Sequence, residues 1–371
     1  MDSGGRAVEA VELRPGAEPR FRAAGATELA GRAVLVTGAD GLLGSWLVGA
    51  LLRRGARGVT IRRDDRAVSA LALLGLADRV DVVHGDICTE GLLARTIGEY
   101  EVDSVFHLAA QTLVGPANKA PLSTFETNIR GTWLVLEACR AHGVERVVVA
   151  SSDKAYGRQD ALPYRETQPL QAIYPYDVSK AAGDLVARSY WHTFGLPVAV
   201  TRCANLYGGA DTHRSRLIPE AVSAALSGRA PVIRSDGTPE RDFLYVEDAV
   251  AAYLAIWEAL GRGQGRGEAF NAGDGKPHNV RELVSLICRL AGSSVEPDIR
   301  GAGVPAGEID RQWVDASKLR ALTGWEPAVT LEEGLRRTIE WYRAHPAARV
   351  PAPTRRAGCP RLPSARGRLQ S

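Results

Sequence analysis

The chain has 371 residues, 45% hydrophobic and 24% charged, ordinary for a soluble globular protein and enough for one large α/β domain or two smaller ones. Its formal charge of +3 misleads: residues 346–371 hold six arginines and no acid, which leaves −3 on the remainder and gives the body no reason to bind nucleic acid. No apolar run reaches membrane-spanning length.

Five cysteines (88, 139, 203, 288 and 359) are scattered without a Cys-x-x-Cys, which points to a reducing compartment and no disulfide framework. The seven histidines show no metal-ligand spacing, so no structural metal is expected. The first thirty residues mix acids with arginines and lack an apolar signal core. A cytoplasmic location is expected.

In chain order, the first element is Ala33-Val-Leu-Val-Thr37, a β-branched run with turn chemistry after it. The turn is Gly38-Ala-Asp-Gly41-Leu42-Leu43-Gly44, and Trp46, Leu47, Val48, Leu51 and Leu52 then recur with helical spacing. Strand, glycine turn and helix form the setting in which a dinucleotide pyrophosphate meets a helix N-terminus. Further strands are expected at 58–61, 80–83, 104–109 and 146–150, with a long helix over 122–142. This alternation predicts an α/β, Rossmann-type doubly wound parallel sheet with its ligand at the carboxyl ends of the strands. Gly38, Asp86, Ala109, Ala110 and Ser152 all fall at such ends, and Asp86-Ile87 is placed to hold an adenine.

At the end of the second strand an acid binds the ribose hydroxyls of NAD, whereas an arginine accepts the phosphate of NADP. The chain offers Arg62-Arg63 and then Asp64-Asp65. The arginines come first, so NADP is favoured over NAD.

Beyond residue 205 the elements shorten, with helices expected over 217–226, 246–260, 280–290 and 331–343 and an extended piece at 231–234. The expected organisation is a flexible segment 1–30, a dinucleotide-binding domain 31–205 with 238–262 interleaved, a substrate lobe 206–345, and a disordered basic tail 346–371.

The chemistry sits in two short stretches, Ser152-Asp153-Lys154 and Tyr176-Asp-Val-Ser-Lys180. The latter places a phenol and an ammonium one helical turn apart. Such spacing alone is more often an ordinary helix face; its place after the fifth strand raises it. A free tyrosine, with a pKa of about 10, is a poor base, and a nearby cation favours its phenolate. With the Ser152 hydroxyl, the trio suits removing a proton from an alcohol while hydride leaves the same carbon. Asp153 and Lys154 add a second acid and base.

These stretches, with His107-Leu-Ala-Ala-Gln111, Arg202-Cys-Ala-Asn205-Leu-Tyr-Gly208, Arg241-Asp-Phe-Leu-Tyr-Val-Glu-Asp248 and Leu322-Thr-Gly-Trp-Glu-Pro327, resemble the NAD-dependent epimerase/dehydratase family, part of the extended short-chain dehydrogenase/reductases. The likeness spans residues 31–345. Within the family, Ser152-Asp153-Lys154 is similar to CDP-glucose 4,6-dehydratases and inverting UDP-N-acetylglucosamine 4,6-dehydratases; dTDP-glucose enzymes have Asp-Glu instead. Arg62-Arg63 resembles the NADP-binding stretch of GDP-mannose 4,6-dehydratases. Arg234 to Asp242 is closer to general epimerases, which leaves the nucleotide base open.

The resemblance implies tightly bound NAD or NADP, with Leu108, Ala109, Ala110 and Gln111 also beside it. It places a nucleotide sugar on Asn205, Arg216, Leu217, Arg241 and Arg311. It also implies a homodimer pairing 122–142 with 177–194, through Trp133, Leu134, Leu136, Val186, Tyr190 and Trp191. The expected activity is nucleotide-sugar 4,6-dehydration. A nucleotide-sugar 4-epimerase, for which Asp153-Lys154 would be a solvated loop pair, is the alternative on the same fold. A cofactor-bound regulatory or scaffold protein is the alternative of another class.

Overall fold

The computed structural model describes residues 28–65, 68–213, 215–304 and 308–349. Its centre is a seven-stranded parallel sheet built from β1 (Ala33–Thr37), β2 (Arg57–Arg62), β3 (Asp81–His84), β4 (Ser104–His107), β5 (Arg146–Ala150), β6 (Val198–Cys203) and the strand Ala269–Ala272. The order, from the Ala269–Ala272 edge, is β6-β5-β4-β1-β2-β3. The chain reverses direction across the sheet between β1 and β4, and the crevice opens at their carboxyl ends.

The central strands read as unbroken apolar runs because helices cover both faces. Val34, Val36 and Val148 pack on one side with helices Leu42–Arg53 and Val246–Gly261. Leu35, Val147 and Val149 point to the other, against helices Leu92–Glu99, Gly131–Ala141 and Pro175–Phe194. Successive side chains thus enter different cores, as the two-residue strand period requires.

Several expectations change. The helix expected over 122–142 runs without interruption from 121 to 141, but Glu126–Arg130 is a π-helical turn between Pro121–Phe125 and Gly131–Ala141. The widened turn carries Asn128, whose amide donates to the Gln111 carbonyl and to Ser179 Oγ while its oxygen accepts from the Gln111 N–H. The fourth strand stops at His107 rather than 109: the Leu108 N–H still reaches the Thr37 carbonyl at the end of β1, but the Ala109 N–H turns to the Thr37 hydroxyl in place of a backbone partner. Strand β6, the strand Ala269–Ala272 and helix Leu92–Glu99 had no counterpart in the expectation. The interleaving of the dinucleotide domain therefore extends past 262 to include Ala269–Ala272.

The boundaries shift at both ends. Leu29, placed in the flexible segment, is 1% exposed within the core. Residues 346–349, placed in the tail, make a short turn in which Arg349 donates to the Tyr342 and Arg343 carbonyls. Residues 1–27 and 350–371, with Cys359 among them, lie outside the described residues.

The second lobe begins abruptly. One residue, Ala204, separates β6 from β7 (Asn205–Tyr207), which pairs in parallel with Phe243–Tyr245. Its core gathers Tyr207, Ile218, Val222, Tyr245, Val284, Leu335 and Tyr342. No helix among the described residues is long and apolar enough to cross a membrane, and none of those residues form a metal-ligating group.

Candidate active site

A single cleft of about 490 Å³ runs along the carboxyl ends of the strands. It is lined by Gly38, Gly41, Leu42, Leu43, Gly44, Arg62, Arg63, Asp86, Ile87, Leu108, Ala109 and Ala110 at one end. Ser152, Asp153, Lys154, Tyr176, Lys180, Asn205, Arg216 and Leu217 line the other.

The glycine turn is shaped by close approach. Gly38 has φ +76°, and a Cβ there would lie 2.8 Å from the Ala109 nitrogen; one at Gly44 would lie 2.3 Å from the Gly38 oxygen. Gly41 differs. A Cβ on it would meet nothing nearer than the Gly38 oxygen at 3.4 Å, so its open side is the cleft. It begins helix Leu42–Arg53 without a side-chain cap, so the first N–H groups of that helix remain available. Uncapped donors, a positive helix end and a cradle without side chains suit a pyrophosphate. The residues present therefore suit a dinucleotide.

At the other end, β5 delivers Ser152-Asp153-Lys154 and helix Pro175–Phe194 delivers Tyr176 and Lys180. Ser152 Oγ donates to Asp153 Oδ1 at 3.0 Å and accepts from the Lys154 N–H at 3.2 Å. Asp153 is 2% exposed, its Oδ2 has no hydrogen-bond partner among the described residues, and burial pushes its carboxyl up despite the pull of Lys154. Lys180 Nζ donates to the Ala150 carbonyl at 2.8 Å, and burial brings its pKa down to about 8. Burial also pushes the Tyr176 phenol up, and the Arg216 guanidinium opposes that shift. Arg216 spans the cleft, donating to Asp211 at 3.0 Å and to Thr112 at 3.1 Å.

Three expected residues do not line the cleft. Gln111 folds back, its amide donating to the Leu113 carbonyl and its oxygen accepting from the Leu113 N–H. Arg241 is 7% exposed and bonded to the Glu240 and Asp310 carbonyls, although its charge is felt at Asp153. Arg311 faces solvent, paired with Glu240 at 2.8 Å, because its strand runs beside Glu240–Arg241 with Arg311 opposite Glu240. The cleft also takes residues the sequence reading passed over, among them Asp40, Thr112, His213 and Phe243. Asp40 lies inside the glycine turn, and its acidity was the available signal.

The family model for GDP-mannose 4,6 dehydratase matches residues 35–338. The chain belongs to that family. A dTDP-glucose 4,6-dehydratase of Xanthomonas campestris is 33% identical over 328 residues, covering 83% of this chain and 92% of that protein. The solved dTDP-glucose 4,6-dehydratase of Streptomyces venezuelae, with NAD bound, matches with a TM-score of 0.77 at 33% identity, over 85% of this chain and 98% of that one. The UDP-glucose 4-epimerase of Thermotoga maritima, with UDP-glucose, matches at TM-score 0.78 and 30% identity, over 84% and 99%.

Two buried networks hold the site in this GDP-mannose 4,6 dehydratase family member. Arg202 on β6 makes a two-point pair with Asp184 (2.8 and 3.0 Å), both at most 1% exposed, and donates to the Tyr156 hydroxyl. Tyr156 in turn donates to Asn271 on the edge strand. The Tyr176 helix, the turn after Ser152 and the sheet are thereby joined. On the opposite side, His107 bridges Thr37 and Thr132 at 2.8 and 3.0 Å, kept neutral by complete burial, which lowers its pKa to about 3.

Proposed function

We propose that the chain converts a nucleoside-diphosphate hexose into its 4-keto-6-deoxy derivative, as a nucleotide-sugar 4,6-dehydratase with a nicotinamide cofactor. The observation that carries this reading is Asp153: buried, with one oxygen unpartnered and its carboxyl raised, beside Ser152 and Tyr176 in the same cleft. A 4-epimerase needs no second acid, and the solvated loop pair it would leave at this position does not describe Asp153. A non-catalytic scaffold has no need of Ser152, Tyr176 and Lys180 together along one cleft wall.

A bound nicotinamide supplies the hydride acceptor for sugar C4 and the donor for C6. Tyr176 takes the proton of the 4-hydroxyl, and Ser152 hydrogen-bonds the oxygen as it becomes a ketone. That ketone acidifies the C5 hydrogen, which Lys154 removes as a proton. Asp153 gives its proton to the departing 6-hydroxyl, so water leaves across C5 and C6. A proton returns to C5, and the net change is loss of one water with no net oxidation.

Incubation with CDP-, UDP-, GDP- and dTDP-hexoses, read by mass spectrometry, should give a product lighter by one water, with no accumulation of reduced nucleotide. A product of unchanged mass and inverted C4 would establish the epimerase instead. Steady release of reduced nucleotide would mark a simple dehydrogenase. The arginine pair that favoured NADP is engaged by carboxylates, Arg62 by Asp40 and Arg63 by Asp64, which moves our reading of the cofactor to NAD.

We also read the protein as a cytoplasmic homodimer. Its four described cysteines are unpaired. Helices Pro121–Phe125, Gly131–Ala141 and Pro175–Phe194 expose Leu122 (83%), Trp133 (41%), Leu185 (55%) and Phe194 (56%), an apolar face suited to a second copy. Of the contacts expected there, Leu136 is fully buried in its own core, and Leu134, Val186, Tyr190 and Trp191 pack against that core. Light scattering across a dilution series should return twice the chain mass; a constant monomer mass would overturn the dimer.

A further inference from the structure

We propose that Asp40 selects the cofactor: by holding Arg62 and presenting its own carboxylate at the adenosine end of the cleft, it makes the site accept NAD and reject NADP. The inference rests on the nicotinamide reading above and does not depend on which sugar reaction follows.

Asp40 belongs to the glycine turn, between Gly38 and Gly41, and its carbonyl accepts from the Ala70 N–H at 3.2 Å, which helps fix the turn. Across the cleft, at the end of β2, Arg62 donates from Nε to Asp40 Oδ2 at 3.0 Å and from Nη2 to Oδ1 at 3.2 Å. This is the two-point geometry in which a guanidinium binds a carboxylate or a phosphate. The two side chains are 19% and 20% exposed, so the pair is partly shielded from water. Arg63 is similarly engaged by Asp64, at 2.9 and 2.8 Å. Among the described residues lining this end, Arg62 and Arg63 are the cations, and each is neutralised by a carboxylate.

The end of the second strand is where a dinucleotide's adenosine ribose is read. NADP would bring a 2′-phosphate of charge about −1.5 to −2 to a place where two arginines already face three carboxylates, Asp40, Asp64 and Asp86. Its oxygens would compete with Asp40 for the same guanidinium fork and lie beside the Asp40 carboxylate. NAD brings a neutral diol. A carboxylate has about four lone-pair sites, of which Arg62 occupies two, so Asp40 can still accept from ribose hydroxyls. Arg62 then acts as a positioning residue for Asp40 rather than as a phosphate receptor.

The test is the nucleotide carried by the purified holoprotein after equilibration with equal NAD and NADP, released and quantified by mass spectrometry. Wild type should hold NAD in at least tenfold excess. Asp40→Asn, which keeps size but removes the charge, should raise the bound NADP to NAD ratio at least tenfold. Arg62→Ala added to Asp40→Asn should abolish that gain. Arg62→Ala alone should leave NAD bound, and it serves as the deciding variant if Asp40→Asn melts below wild type. NADP as the main nucleotide in wild type, an unchanged ratio in folded Asp40→Asn, or loss of bound NAD in Arg62→Ala would each overturn the proposal.

Discussion

Lys154→Ala should complete the first hydride step and then stop. Tyr176, Ser152 and Lys180 remain, so a competent nucleotide sugar should still reduce the bound nicotinamide, seen as a rise in its near-ultraviolet absorbance. Without a base for C5, dehydration should fall by about 10²–10⁴-fold, the usual range for losing general-base catalysis. Exchange of the C5 hydrogen with solvent deuterium should disappear with it. Tyr176→Phe should behave differently, with even the initial absorbance change suppressed. The two variants divide the reaction at the ketone, and a general loss of folding would move both readouts together. Normal turnover by Lys154→Ala would falsify the role given to Lys154.

Asp184→Ala should lower stability by about 3–5 kcal/mol, the typical result of stripping one partner from a buried ion pair. Both members are at most 1% exposed, so solvent does not compensate Arg202 for the loss. Arg202 would be left with the Tyr156 hydroxyl and its contact over that ring. Urea unfolding of the purified variant measures the change directly. Replacing both partners by apolar residues of similar volume should recover much of it, because no buried charge then remains. A loss below about 1 kcal/mol, the scale of an exposed pair, would show that the pair does not hold the helix.

The parts legible in the sequence are those whose chemistry is local. The glycine turn, the ends of β3 and β4, Ser152-Asp153-Lys154 and Tyr176 to Lys180 are each read from a few neighbouring residues. They converge on one cleft because a parallel sheet brings its strand ends together. What stayed hidden depends on partners distant in the chain. Arg311 turns away because Glu240, 71 positions earlier, sits opposite it in the register. Gln111 is drawn from the cleft by its own loop and by Asn128. The engagement of Arg62 could not be read from the arginine pair, since its partner lies 22 residues upstream in another turn. The π-helical turn within the helix over 122–142 leaves no Pro or Gly mark at 126–130; its trace is the set of Asn128 hydrogen bonds.

The joint between the lobes constrains how the enzyme can move. A hinge needs a few loose residues to absorb large backbone rotations. Here β6 passes into β7 through Ala204 alone, which is 4% exposed. The returning chain is sewn down by the Asp242 carboxylate, which accepts from the Asp274, Gly275 and Val314 backbone. The two lobes thus meet at a bonded seam rather than at a loose hinge. In the mechanism proposed above, Ser152 serves the oxidation and Asp153 and Lys154 the elimination, three consecutive residues that line the same cleft as Tyr176. On that mechanism the sugar can pass from the oxidation to the elimination while held against a single wall of the cleft.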